Sequence, residues 1–264
     1  MIRLIATDID GTLVEEGTLD INPEYYEVIK ELRNRGVRVI AASGRQRSSI
    51  EKVFAPIIDE LSFISENGTA VYSKDYEFVN TIPVEIAREY VREARTFPEC
   101  KVMLNHDNMS YFEDEDVYHY MVDDYGYIGK LVDDIEDYLE GTCKISVYHH
   151  DCAEEVIGQE FMDRWGKTMD VVVSGKCWLD CANKGANKGT ALQHFQEAYK
   201  ISPDETLAFG DNINDIAMLN RASHSFAVEN ARDEVKEAAN FIAPSYKEDG
   251  VLQVLKAVLR GELA

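Results

Sequence analysis

The chain has 264 residues, 45% of them hydrophobic, and carries a net charge of −22 from 27 basic and 49 acidic side chains. That length admits two modest domains. The charge argues against nucleic acid and anionic membranes as partners, since both are held by Lys/Arg clusters, and no run of about 18 apolar residues is available to span a bilayer.

The first segment, IRLIATDI, is a short apolar run ending in acids, the pattern of a fully buried parallel strand whose carboxyl end delivers them. An acid this early in the first apolar run is unlike a secretory leader, so a cytoplasmic location is expected. INPEYYEVIKELRNRG follows as a helix: Asn22 can cap it, Pro23 suits its first turn, Val28, Ile29 and Leu32 give it an apolar face, and Gly36 stops it. VRVIAAS is a second buried strand, which completes a βαβ unit and predicts a parallel sheet. Ser48 to Ile58 reads as a further helix, LSFIS as a third strand, and ENGTAVYSKDYEFVNTI as a hairpin opening around Asn67-Gly68.

Residues 82–183 read differently. An amphipathic helix, PVEIAREYVREARTF, is followed by short alternating stretches (KVMLN, SYFED, CKISVYHH, MDVVVSGKCWLDCA) with acid-rich helical pieces between them. This pattern predicts an α+β unit with an antiparallel sheet. The segment holds 23 acidic and 9 basic residues, so 23 − 9 places −14 of the −22 here. Such a shift marks a separate inserted domain, with 1–81 and 184–264 as the other. From Lys184 the βα rhythm returns: a helix in NKGTALQHFQEAYKI, a strand in TLAFG, a helix in NDIAMLNRA, and a strand in SFAV. ARDEVKEAAN, FIA and GVLQVLKAVLR then read as helix, strand and helix. The expected architecture is α/β, a doubly wound parallel-sheet core interrupted by one α+β insertion.

Chemistry concentrates where the strands end. Asp8 and Asp10 lie two apart at the end of the first strand, so alternation directs them the same way. Two carboxylates together repel, and a divalent cation relieves that. AFGDNINDIAML places Asp211 and Asp215 after another buried strand, and ligand sites of open α/β sheets form beside strand carboxyl ends. Oxygen-only ligands favour magnesium, which keeps waters and binds phosphate. Ser43-Gly44 offers a hydroxyl and free backbone N–H groups to an oxyanion. Lys188 adds a cation at a helix start, and is preferred to Lys184 of the repeated NKG because its sequel runs directly into the helix. A carboxylate nucleophile, a second acid, a magnesium ion, a hydroxyl and a lysine together suit phosphoryl transfer.

DIDGT, SGR, NKG and GDNIND, in that order, resemble the four motifs of the haloacid dehalogenase superfamily. The insertion between the second and third resembles a C2 cap, and the chain is most similar to the Cof-type, C2B-capped sugar-phosphate phosphatases. ENG after the third strand and Glu248-Asp249-Gly250-Val251 fit the same group. The resemblance implies that Asp8 attacks phosphorus to form an aspartyl-phosphate, while Asp10 protonates the leaving oxygen and later deprotonates water. It implies magnesium held by Asp8, the Asp10 carbonyl and Asp211, with Asp215 supporting the metal shell or Lys188. The phosphoryl group would be bound by the Ile9 backbone, Ser43, Gly44, Lys188 and Asn214.

The expected substrate is a small phosphorylated metabolite, with sugar phosphates ahead of pyridoxal phosphate and nucleotides, and the expected state is a monomer or homodimer. A phosphomutase and a non-catalytic phosphometabolite sensor are the competing functions. Arg45 can reach substrate or be solvated; Arg47 reads as solvated. Asn67-Gly68 reads as a turn first and a site wall second. Trp165, Trp178 and the Tyr-rich SYFEDEDVYHYMVDDYGY read as core and surface rather than substrate pocket. Five scattered cysteines read as reduced thiols, and a zinc site on Cys177, Cys181, His149 and His150 is disfavoured by its loose spacing.

Overall fold

Leu4–Thr7 (β1) is buried at every position, as a strand covered on both faces by helices must be. The computed structural model to which it belongs describes residues 1–74, 76–106, 108–174 and 177–263. Helix α1, Glu24–Asn34, follows and buries Tyr25, Val28, Ile29 and Leu32. The Asn22 side chain accepts the Glu24 N–H at 3.0 Å, although Pro23 is the residue that flanks the helix. Strand β2 is Arg38–Ala42. The helix expected over Ser48–Ile58 is shorter than its apolar pattern: α2 covers Arg47–Val53, and a tighter 3₁₀ segment runs Ala55–Glu60. Pro56 explains the break, because it lacks the N–H that would continue the ladder. Strands β3 (Ser62–Ser65), β4 (Ala70–Tyr72) and β5 (Glu77–Val79) then run antiparallel to one another in sequence, the first pair joined by a turn at Glu66–Gly68.

The middle of the chain builds a second sheet. Helix α3 is Val84–Ala94, β6 Lys101–Asn105, β7 Ser110–Phe112, α4 Glu115–His119 and β8 Gly129–Leu131. Strand β9 is Lys144–Tyr148, α5 Gln159–Trp165, β10 Met169–Val173 and β11 Trp178–Asn183. Their order is β10-β11-β9-β6-β7-β8. The pairs are antiparallel except β7 with β8, which is parallel. Strand β8 escapes sequence reading because Gly-Lys-Leu at a sheet edge has no buried alternation. Elsewhere alternation sorts the two faces. Val102, Leu104, Ile145, Val147, Leu179 and Cys181 pack with α3 and α5 into one apolar interior. Met103, Lys144, Ser146, Trp178 and Asp180 occupy the intervening positions and face the other way.

The remaining elements return to the first sheet: α6 Lys188–Tyr199, β12 Thr206–Gly210, α7 Ile216–Leu219, β13 His224–Val228, α8 Asp233–Ala238, β14 Phe241–Ala243 and α9 Gly250–Arg260. Helix α7 is a single turn preceded by a 3₁₀ turn at Ile213–Asp215, not the longer helix that NDIAMLNRA suggests. The sheet order is β14-β13-β12-β1-β2-β3-β4-β5, parallel from β14 to β3. From β1 the chain winds outward through β2 and β3; from β12 it winds the opposite way through β13 and β14. The reversal therefore falls between β1 and β12, and the crevice of a doubly wound sheet opens at that point. Among the described residues no helix is long and apolar enough to cross a membrane.

Candidate active site

Because β1 and β12 are neighbours in register, Thr7 beside Phe209, the residues that follow them are delivered to one place. Asp8 donates its backbone N–H to the Phe209 carbonyl at 3.1 Å, and Asp211 follows β12 directly. Asp215 closes the turn before α7; its Oδ2 accepts the N–H groups of Asp211 at 3.0 Å and Asn212 at 3.1 Å. Oxygens of Asp8, Asp211 and Asp215 lie within 4.8 Å of one another. Lys188 is the first residue of α6, behind an Asn187–Thr190 capping box that fixes where the helix begins. Its Nζ is fully buried and donates to Asp8 Oδ1 at 2.6 Å and Asp215 Oδ1 at 2.7 Å. Lys184 sits elsewhere, paired with Asp170 at 3.0 Å.

One lysine does not balance three crowded acids. Burial first, and then Asp215, pushes the Asp8 carboxyl above the usual carboxylate range; burial and then Asp8 does the same to Asp211. Burial opposes the charge of Lys188, but Asp215 and Asp8 outweigh it and hold the ammonium well above the ordinary lysine value. The arrangement fits a divalent cation. Its donors are all carboxylate oxygens, the choice of a hard ion. Gly11, at φ +74°, keeps the space clear: a Cβ there would lie 2.3 Å from Asp211 Oδ2. Asp8 and Asp211 are the side chains that could hold the ion, since Asp215 is already spent on Lys188 and two amides.

Asp10 stands beside this cluster and is gripped from one side. Arg45 Nε donates to its Oδ2 at 2.7 Å and Nη2 to its Oδ1 at 2.6 Å, while Gly17 N–H reaches Oδ1 at 3.1 Å. The Arg45 side chain is only 2% exposed, so the solvated alternative for it does not hold. Arg47, by contrast, pairs with Glu51 at 2.6 Å and lies over the Tyr72 ring. Ser43 Oγ accepts the Arg45 N–H at 3.1 Å, which leaves its own hydroxyl hydrogen available to the crevice. Asn214 spends one amide N–H on Asn67 Oδ1 at 2.8 Å and keeps the other. Ile9 is buried in the core, its carbonyl accepting the N–H groups of Leu13 and Val14.

The second sheet roofs the crevice, and here sequence reading missed most. Lys144 on β9 donates to the Gly44 carbonyl at 2.7 Å and pairs with Glu66 at 2.7 Å and Asp180 at 3.3 Å. Asp180 also accepts from Ser146 Oγ at 2.6 Å and from Asn67 Nδ2 at 2.5 Å. A continuous chain thus runs from the buried Lys144 and Asp180 through the buried Asn67 to the half-buried Asn214. Glu66 and Asn67 hold positive φ, 49° and 57°, and Gly68 lies against Asn187, where a Cβ would come within 2.3 Å of its carbonyl carbon. The Asn67-Gly68 segment is therefore both turn and site wall. The available signal was alternation: Lys144, Ser146 and Tyr148 share one strand face, with Asp180 opposite Ser146 and Trp178 opposite Tyr148.

The same face adds to the core reading of the aromatics. Trp165 packs in the apolar interior of the second sheet, but Trp178, Tyr125 and Tyr127 line the crevice, a cavity of about 110 Å³. Trp178 does so because it is in phase with Asp180 and out of phase with the core-facing Leu179. Cys181, on the core-facing phase, is sealed among apolar side chains, and burial pushes its thiol above the usual range. Glu99, His149 and His150 also approach one another. His149 Nδ1 there already accepts the Asp151 N–H at 3.3 Å.

A family model described as haloacid dehalogenase-like hydrolase matches residues 5–255. The chain is 28% identical to a 5-amino-6-(5-phospho-D-ribitylamino)uracil phosphatase of Escherichia coli, over 99% of this chain and 97% of that one. It is 28% identical to a phosphoglycolate phosphatase of Nitrosopumilus maritimus, over 96% and 94%. A crystal structure from Eubacterium rectale superposes with a TM-score of 0.85 at 40% identity, covering 97% of this chain and 99% of that one.

Proposed function

This chain belongs to the haloacid dehalogenase-like hydrolases, and we propose that within them it is a magnesium-dependent phosphomonoester hydrolase of small metabolites, sugar phosphates foremost, working through an aspartyl-phosphate. Residues 1–81 and 184–264 form the catalytic core in this reading, and 82–183 the cap that covers it. The observation that carries the proposal is the convergence of Asp8, Asp211 and Asp215 on Lys188 at the sheet's reversal point, with Asp10 held alongside.

Asp8 attacks phosphorus as the bond to the leaving oxygen breaks, and the Asp10 carboxyl gives that oxygen its proton. Water then attacks the aspartyl-phosphate, Asp10 takes its proton, and the bond to Asp8 breaks to release inorganic phosphate. Ser43, the Gly44 and Ile9 backbone, Lys188 and the free Asn214 N–H hold the phosphoryl oxygens. Magnesium, when bound by Asp8, the Asp10 carbonyl and Asp211, supplies neutralisation of phosphoryl charge. The roof excludes bulk water.

Chelation is the test. Protein stripped with EDTA is expected to lose turnover of a generic aryl phosphate and regain it with added magnesium. Asp211→Asn is expected to raise the magnesium concentration for half-activity by at least about 100-fold. Undiminished turnover in excess chelator would overturn the proposal. Arg45 gives a second expectation. Arg45→Lys keeps the charge but gives up the two-point hold on Asp10, so kcat should fall roughly 10- to 100-fold with KM within about 3-fold. Steady-state kinetics on one ester decides it, and a KM effect alone would mean that Arg45 binds substrate instead.

A further inference from the structure

Resting on the phosphatase reading above, we infer that the site selects phosphomonoesters whose leaving alcohol is uncharged, and rejects those whose leaving group carries a carboxylate or a second phosphate. The lining of the crevice carries the inference. Five carboxylates face it: Asp8, Asp10, Glu16, Asp180 and Asp211. Among the described residues the cations that line it are Arg45 and Lys144, and neither is available. Arg45 spends its fork on Asp10 and donates a further N–H to the Thr18 carbonyl at 2.8 Å. Lys144 is 3% exposed and directs its ammonium at Glu66, Asp180 and the Gly44 carbonyl. Lys188 lies beneath Asp8, at the phosphoryl end.

What the roof offers a leaving group is instead uncharged. Met103, Met121, Tyr125 and Trp178 form one buried apolar cluster above the acids, and Ser174 adds a hydroxyl whose oxygen accepts from Asn67 at 3.3 Å. An additional anion placed there would meet Glu16 and the Lys144-paired Asp180, and among the described residues no uncommitted cation answers it, whereas a ring or polyol meets sulfur, aromatic faces and a hydroxyl. The rejection is thus built from like charge, not from lack of room.

The test uses the full chain with magnesium and compounds matched in size: benzyl phosphate, para-carbamoylbenzyl phosphate and para-carboxybenzyl phosphate, together with glycerol 3-phosphate and 3-phosphoglycerate. The carboxylates are expected to be hydrolysed with kcat/KM at least about 100-fold below their neutral partners, the carbamoyl compound controlling for bulk. Met121→Lys, which adds a cation to the roof, should narrow the carboxyl-to-carbamoyl gap by about 10-fold. Charged and neutral members within about 5-fold of each other in the wild type would overturn the inference, as would a folded Met121→Lys protein with an unchanged gap. Failure of the phosphatase reading looks different: no compound, and no generic aryl phosphate, would be turned over at all.

Discussion

Asp8→Asn is expected to lower kcat/KM for every phosphomonoester by roughly 10⁵-fold, the scale on which loss of a covalent nucleophile acts, while leaving the fold intact. The substitution is isosteric, and the amide oxygen can still accept from Lys188, which now lies 2.6 Å from Asp8 Oδ1. What disappears is the ability of that oxygen to bond phosphorus. Stability should move the other way. In the folded chain burial and the charge of Asp215 hold the Asp8 carboxyl above its unfolded value. A carboxyl raised in this sense opposes folding once ionised: its penalty is absent below the ordinary carboxylate range and grows as pH rises through the folded value. At pH 8 without divalent cations the asparagine variant should therefore melt at or above the wild-type temperature. Thermal melts in EDTA and kinetics in magnesium check both halves. Activity within tenfold of wild type would remove Asp8 from the reaction, and a variant that melts well below wild type would mean that its ion pair outweighs the crowding.

How far the sequence carried this picture depended on whether a feature was local. Asp8, Asp211 and Asp215 were legible because buried strands end just before them, and a doubly wound order brings those ends together. The helix starting at Lys188 was legible from its sequel, and the structure adds the reason in the Asn187 cap. Arg45 was half legible: its place after Ser43-Gly44 put it near the crevice, but nothing local says that it faces Asp10, 35 positions away in the chain. Lys144 and Asp180 were not singled out, because their partners Gly44, Glu66 and Asn67 follow strands of the other sheet and each is meaningful only across that gap; Ser146 takes its place only through Asp180. That Trp178, read as core and buried in one, also lines the crevice was hidden for the same reason. Alternation reveals two faces of a strand but not which face meets a second sheet, and here the less apolar face did.

At Lys188 a single cation stands among three acids. Lys188→Met preserves much of the side chain's volume but leaves Asp8, Asp211 and Asp215 facing one another with no cation between them. Breaking a buried pair by removing one partner costs about 3–5 kcal/mol, and that loss should appear in urea unfolding at pH 8 without divalent cations. The sign of its pH dependence follows from the same charges. With the ammonium gone the folded Asp8 and Asp211 carboxyls lie further above their unfolded values, so the gap to wild type should be largest at pH 8 and shrink toward pH 5 as they take up protons. Turnover should fall by at least about 10³-fold, since the phosphoryl group loses its fixed cation. Stability and activity can then be separated. Lys188→Met with Asp215→Asn removes one of the opposing charges and should regain a large part of the lost stability, yet recover no turnover. If the double variant is as unstable as the single one, crowding of acids is not what Lys188 relieves. If it regains activity, the lysine's part in phosphoryl transfer is withdrawn and only its structural part stands.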